Sequence, residues 1–138
     1  MNNFSGLIKS GIQNLSKLIR LQLNVNSFIG SIPPKIGNLN ELVTLSLSEN
    51  KFSGQIPPEL SKLSRLQGLS LHENLLEGTI PDKLFELKDL TKLLLHQNKL
   101  LGQIPDSISK LKMLSLLIFM ATNLMGPFHE AWGSLISF

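Results

Sequence analysis

The sequence predicts an α/β solenoid. Short coils stack along one axis, with a parallel β-sheet on the concave face and short 3₁₀ or helical turns on the convex side. Three observations carry this. A phrase of eleven residues recurs at an interval of 24, as "NSFIGSIPPKI" from Asn26, "NKFSGQIPPEL" from Asn50, "NLLEGTIPDKL" from Asn74 and "NKLLGQIPDSI" from Asn98. A ladder of leucines precedes each copy, tightening to a period of two just before the Asn. Glycine and proline fall at the same places in every copy, so the chain turns at the same places. Self-similarity at a fixed short period is the mark of repeat architectures, in which each unit buries its apolar side only against its neighbours.

The elements follow in order along one coil. In "TLSLSEN" (residues 44–50), Leu45 and Leu47 alternate with Thr44, Ser46 and Ser48, which is a short strand with one face buried. The Asn column is Asn2, Asn26, Asn50, Asn74 and Asn98, followed by Thr122. An amide offers two donors and an acceptor, so Asn26, Asn50, Asn74 and Asn98 form a structural ladder that satisfies turn backbone. Two places on stand Phe4, Phe28, Phe52, Leu76, Leu100 and Leu124, then the glycines Gly6, Gly30, Gly54, Gly78, Gly102 and Gly126. Glycine admits a positive φ where the chain bends again. Ile32, Ile56, Ile80 and Ile104 precede Pro33, Pro57, Pro81 and Pro105. Proline holds the residue before it extended and removes a donor. The few residues left before the next leucine accommodate one short 3₁₀ turn, with Ile36, Leu60, Leu84, Ile108 and Trp132 pointing back to the core.

One domain therefore covers residues 1–138. It divides into a partial repeat 1–14, repeats 15–38, 39–62, 63–86 and 87–110, a degenerate repeat 111–134 and the start of another at 135–138. The degenerate coil puts Thr122 at the Asn position, Phe119 at a strand leucine and His129 at the proline, while Gly126 and Trp132 keep their columns. No capping segment is recognisable. The expectation is a piece of a longer array with an apolar edge at each end, marginal or sticky alone.

The columns spell L-x-x-L-x-x-L-x-L-x-x-N-x-φ-x-G-x-I-P, the leucine-rich repeat. The G-x-I-P phrase at this period resembles the plant-specific subclass of that family. "LSRLQGLSLHENLLEGTIPDKLFELKDL" is similar to repeats in ectodomains of plant receptor-like kinases. The resemblance implies a right-handed superhelix, a second small sheet beside the G-x-I-P segment, and peptide or protein ligands on the inner face, with a co-receptor as a further partner. It also implies a place on the extracellular face of the plasma membrane, within a longer receptor. Receptor-like proteins and polygalacturonase inhibitors share the subclass. A soluble inhibitor-type array that binds a wall-degrading enzyme is thus the alternative, and a non-functional truncated gene product a third.

The strand positions between the leucines are free of packing duty, so ligand contact is expected there. By columns they are Arg20, Thr44, Gly68, Lys92 and Leu116; Gln22, Ser46, Ser70, Leu94 and Ile118; Asn24, Ser48, His72, His96 and Met120; and Val25, Glu49, Glu73, Gln97 and Ala121. Gln67 borders the first of these and joins the ligand-binding set. His72 and His96 should stack, which raises a metal pair or a pH sensor. Two imidazoles with no carboxylate or thiol completing the set make a poor metal site, so neither metal nor cofactor is expected. Glu49 and Glu73 place like charges opposite one another, which is mildly unfavourable in a sheet and would be relieved by a basic ligand side chain. These four residues form one expected peptide-contact patch. Leu94, Leu116, Ile118 and Met120 form an expected exposed apolar patch, either a partner site or a sign of a degenerate end. "NFS" at Asn3 and "NLS" at Asn14 are glycosylation sequons.

Composition excludes other classes. With 13 Lys and Arg against 10 Asp and Glu, scattered, and no Tyr, nucleic-acid binding has no basic, aromatic stripe to stand on. Cysteine is absent, so the redox compartment cannot be read. No stretch reads as a signal peptide, and "MLSLLIFMATNLM" (residues 113–125) is shorter than the ~20 residues of a membrane helix, so no membrane contact is expected. No G-x-S-x-G elbow, phosphate-loop lysine or histidine triad supports an enzyme.

Overall fold

The computed structural model describes residues 3–118 and the backbone of Asn123–Leu124. The positions assigned above to Asn2, Phe119, Met120, Ala121, Thr122, Gly126, His129 and Trp132 lie outside the described residues.

Each coil contributes one strand to each of two parallel sheets. The first sheet holds β2 (Arg20–Gln22), β4 (Thr44–Ser46), β6 (Gly68–Ser70), β8 (Lys92–Leu94) and β10 (Leu116–Ile118). The second holds β1 (Ser5–Gly6), β3 (Ser27–Ser31), β5 (Lys51–Gln55), β7 (Leu75–Gly78), β9 (Lys99–Gly102) and β11 (Asn123–Leu124). This is the additional sheet implied by the resemblance, and it lies immediately before each Ile-Pro. A 3₁₀ turn of 5 residues closes each coil: η1 (Ser10–Asn14), η2 (Pro34–Asn38), η3 (Pro58–Lys62), η4 (Asp82–Glu86) and η5 (Asp106–Lys110).

Register in the first sheet is the 24-residue period made visible. Thr44 pairs with Arg20 and Gly68, and Lys92 pairs with Gly68 and Leu116. The inward column Leu45, Leu69 and Leu93 is fully buried, as are Ile36, Leu60 and Leu84 behind it. Stacking supplies this burial. Leu39, Leu63 and Leu87 are at most 1% exposed, whereas Leu15, their equivalent in the first coil, is 51% exposed.

The Asn ladder does more than satisfy its own turn. Asn50 Nδ2 donates to the carbonyls of Leu47 and Ser48 within its coil and of Leu23 in the preceding coil. Its Oδ1 accepts the backbone N–H of Phe28, also in the preceding coil. Asn74 and Asn98 repeat the set, donating back to Leu47 and Leu71 and accepting from Phe52 and Leu76. Each of these amides thus ties two coils together. Beside the ladder, the Phe28 and Phe52 rings stack with centroids 6.0 Å apart.

Glycine is required where the second sheet turns, since Gly54 has φ of +73° and its column behaves alike. The residue before each ladder Asn is also left-handed, at Val25, Glu49, Glu73 and Gln97, with φ between 53° and 59°. These are not glycine, so the backbone there carries strain of order 1 kcal/mol. The strand read from "TLSLSEN" is accordingly shorter than its alternation implies and ends at Ser46.

Replacing Asn74 by Ala removes three donated bonds and orphans the buried Phe52 N–H, while the carbonyls of Leu47, Leu71 and His72 each keep one other donor. Urea unfolding should show a loss of about 3 kcal/mol, against about 1 kcal/mol for Asn26→Ala, whose bonds are partly solvated.

Candidate functional site

The outward face of the first sheet carries sequence-predicted residues in two rows. Arg20, Thr44, Gly68 and Lys92 open the strands, with exposed Gln67 just before β6. Gln22, Ser46, Ser70 and Leu94 close them. Gly68 makes a notch in the first row, because a Cβ built there would meet only Thr44 Cγ2, at 3.9 Å. Arg20 and Lys92 are exposed at the strand starts, and Glu49 and Glu73 at the turns beyond the strand ends. The face is therefore basic along one border and acidic along the other.

Several expectations are corrected. Ser48 is not an open contact residue: it is 3% exposed, and its hydroxyl lies 3.5 Å from that of Ser46. Leu94 is 7% exposed and Leu116 and Ile118 are half-buried, so the described part of the expected apolar patch is not an open surface. Glu49, Glu73 and Gln97 sit in the left-handed turn and not on a strand. The like-charge pair expected across two strands therefore lies on the turns of successive coils instead. Sequence alternation could not reveal this, because left-handed backbone reverses side-chain direction without altering the period. The sequon residues Asn3 and Asn14 are both exposed, Asn14 ending η1.

His72 and His96 stack as expected, with ring centroids 4.4 Å apart and planes within 10°. Their backbones are held by the ladder: Asn74 Nδ2 donates to the His72 carbonyl at 3.2 Å and Asn98 Nδ2 to the His96 carbonyl at 3.3 Å. The Glu73 N–H donates to the same His96 carbonyl at 3.0 Å. The left-handed turn brings Glu73 to the pair, so that one ligating atom from each of His72, Glu73 and His96 lies within 4.8 Å of the other two. The carboxylate that the sequence reading found missing is present. The Nδ1 atoms of both histidines are buried and have no hydrogen-bond partner. Burial holds the His72 pKa below its ordinary 6.5, and the His96 charge adds to this; Glu73 and Glu49 pull upward and Lys92 pushes down. On the 3₁₀ side of the coils lies a separate hollow lined by Phe85, Glu86, Lys88, Lys110 and Lys112.

Two parallel sheets, a 24-residue pitch and an Asn ladder define the class: the chain is a leucine-rich-repeat array. The sequence model of the family described as Leucine Rich Repeat matches residues 41–63 and 89–111. The array resembles ectodomains of plant leucine-rich-repeat receptor kinases. It is similar to the Arabidopsis receptor kinase HAESA, solved with the peptide hormone IDA and the co-receptor SERK1, at 36% identity and a TM-score of 0.92, over 100% of this chain and 24% of that one. It is similar to the plant peptide hormone receptor RGFR1, solved with RGF2, at 37% identity and a TM-score of 0.92, over 97% of this chain and 22% of that one. A plant ice-binding protein is also similar, at 30% identity and a TM-score of 0.77, over 87% of this chain and 38% of that one. The chain thus spans about a quarter of the length of the two receptors. No curated protein matches the sequence.

Folded His72 takes up a proton less readily than it does unfolded. The unfolded state therefore binds more protons as pH falls below about 6.5, and stability falls with it. Above that value this contribution is flat. Urea unfolding at pH 7.5 and 5.5, in the presence of a chelator, should show a pH-dependent loss that His72→Gln diminishes.

Proposed function

We propose that the chain is a ligand-recognition module: part of the extracellular, ligand-sensing domain of a plant receptor-like kinase, binding an extended peptide across the first sheet. The observation that carries this reading is the register of the outward rows. Thr44, Gly68 and Lys92 lie side by side on paired strands, as do Ser46 and Ser70. Strand neighbours sit ~4.8 Å apart, so successive side chains of an extended segment crossing the strands meet successive coils. The notch at Gly68 lets a peptide backbone approach closely. The basic border at Arg20 and Lys92 and the acidic border at Glu49 and Glu73 orient a segment of opposite polarity.

Peptide hormones in the complexes of HAESA and RGFR1 support this ligand class, and a co-receptor, present in the HAESA complex, is the natural further partner. The extracellular setting follows from the same reading. Among the described residues no helix is long and apolar enough to cross a membrane. The reading is non-catalytic, with specificity set by outward side chains that the fold leaves free.

A phage-displayed peptide library panned against the immobilised chain should yield binders. Their affinity should fall about tenfold or more in Lys92→Glu, and likewise when Glu49, His72, Glu73 and His96 are all replaced by Ala. Lys110→Glu, on the 3₁₀ side, should leave it unchanged. Peptides that bind all three variants as they bind the parent, with the fold intact by circular dichroism, would overturn the reading.

A further inference from the structure

We propose that His72, Glu73 and His96 form a binding site for a divalent transition-metal ion, zinc foremost, at the acidic border of the polar face. The donor set is two imidazoles and one carboxylate, a combination that suits zinc with a fourth position left open. The three residues come from two successive turns. His72 and Glu73 stand between β6 and β7, and His96 stands between β8 and β9.

Three features of the geometry favour a site over a solvated cluster. First, the ligating atoms lie within 4.8 Å of one another. Zinc bonds of about 2.1 Å in a tetrahedron set ligand atoms about 3.4 Å apart, so closure requires shifts of about 1.4 Å, together with a tilt of the two stacked rings that brings both in-plane nitrogen lone pairs onto one ion. Second, the backbone beneath all three is fixed. Asn74 and Asn98 hold the carbonyls of His72 and His96, and the Glu73 N–H is bonded to the His96 carbonyl. Only side chains have to move.

Third, both Nδ1 atoms are buried without a partner. A buried polar atom left unpaired is uncommon in a native fold. Here it also means that no hydrogen bond must break for either imidazole to turn toward an ion. The surrounding charge is favourable as well. Around His72, Glu73 supplies one carboxylate and Glu49 a second, against the cation Lys92. The local balance is thus negative when the imidazoles are neutral. The site itself does not rest on the peptide reading.

Isothermal titration of the chelator-stripped 138-residue chain with zinc chloride tests this. One zinc ion per chain is expected, with affinity about tenfold or more weaker in each of His72→Gln, His96→Gln and Glu73→Gln, all retaining the parent's circular dichroism spectrum. Zinc should also perturb the imidazole proton resonances of His72 and His96 in NMR spectra. Absence of saturable binding, or binding of equal strength in the two histidine variants, would overturn the proposal, as would zinc signals that leave both rings untouched. Zinc binding with no peptide binders, or the reverse, would separate this site from the function proposed above.

Discussion

The structure depends on the bond that each ladder asparagine makes to the coil before its own. Leucine burial alone would hold coils together without fixing their alignment, because apolar contact is non-directional. The amides of Asn50, Asn74 and Asn98 add direction. Each reaches back to one carbonyl and one N–H at a set offset in the preceding coil. That offset places Thr44 beside Gly68 and Gly68 beside Lys92 on the other side of the sheet. The buried polar column therefore specifies the register of the exposed one.

The same column organises the candidate site. The turns that carry His72 and His96 end in Asn74 and Asn98, which hold the histidine carbonyls. A left-handed residue must fit between each histidine position and its Asn, and Glu73 and Gln97 occupy that place. Their backbone is strained, and the amide bonds on both sides offset the strain. Consequently Glu73 is swung off the strand line and beside the imidazoles. The constraint that builds the coil also assembles the polar cluster.

How much of this was legible in the sequence varies with the kind of interaction. Columns of identical residues revealed the parallel pairing, the inward leucines, the Asn ladder and the 3₁₀ turns, because each is repeated and each repeat casts a vote. The resemblance to plant receptor ectodomains supplied the second sheet. What escaped depends on side-chain volume and backbone handedness. Burial of Leu94 and Ser48 depends on neighbours across the sheet, which a single column does not display. The placement of Glu73 beside the histidines depends on a φ of 53°, and glutamate in that position carries no local signature of left-handed backbone. Gly37 is a further case: a Cβ there would overlap the Glu59 carbonyl, a close approach that no periodic pattern reveals.

Because each ladder bond recurs at its own fixed offset from coil to coil, the fold is indifferent to how many units it contains but not to their length. Adding or deleting one whole unit between Asn50 and Asn74 would reproduce all the same donors and acceptors. A change of one residue would carry Leu69 out of the interior and Gly68 into it. Natural variation in such a chain should therefore come in whole steps, with the outward rows free to drift while the pitch stays locked.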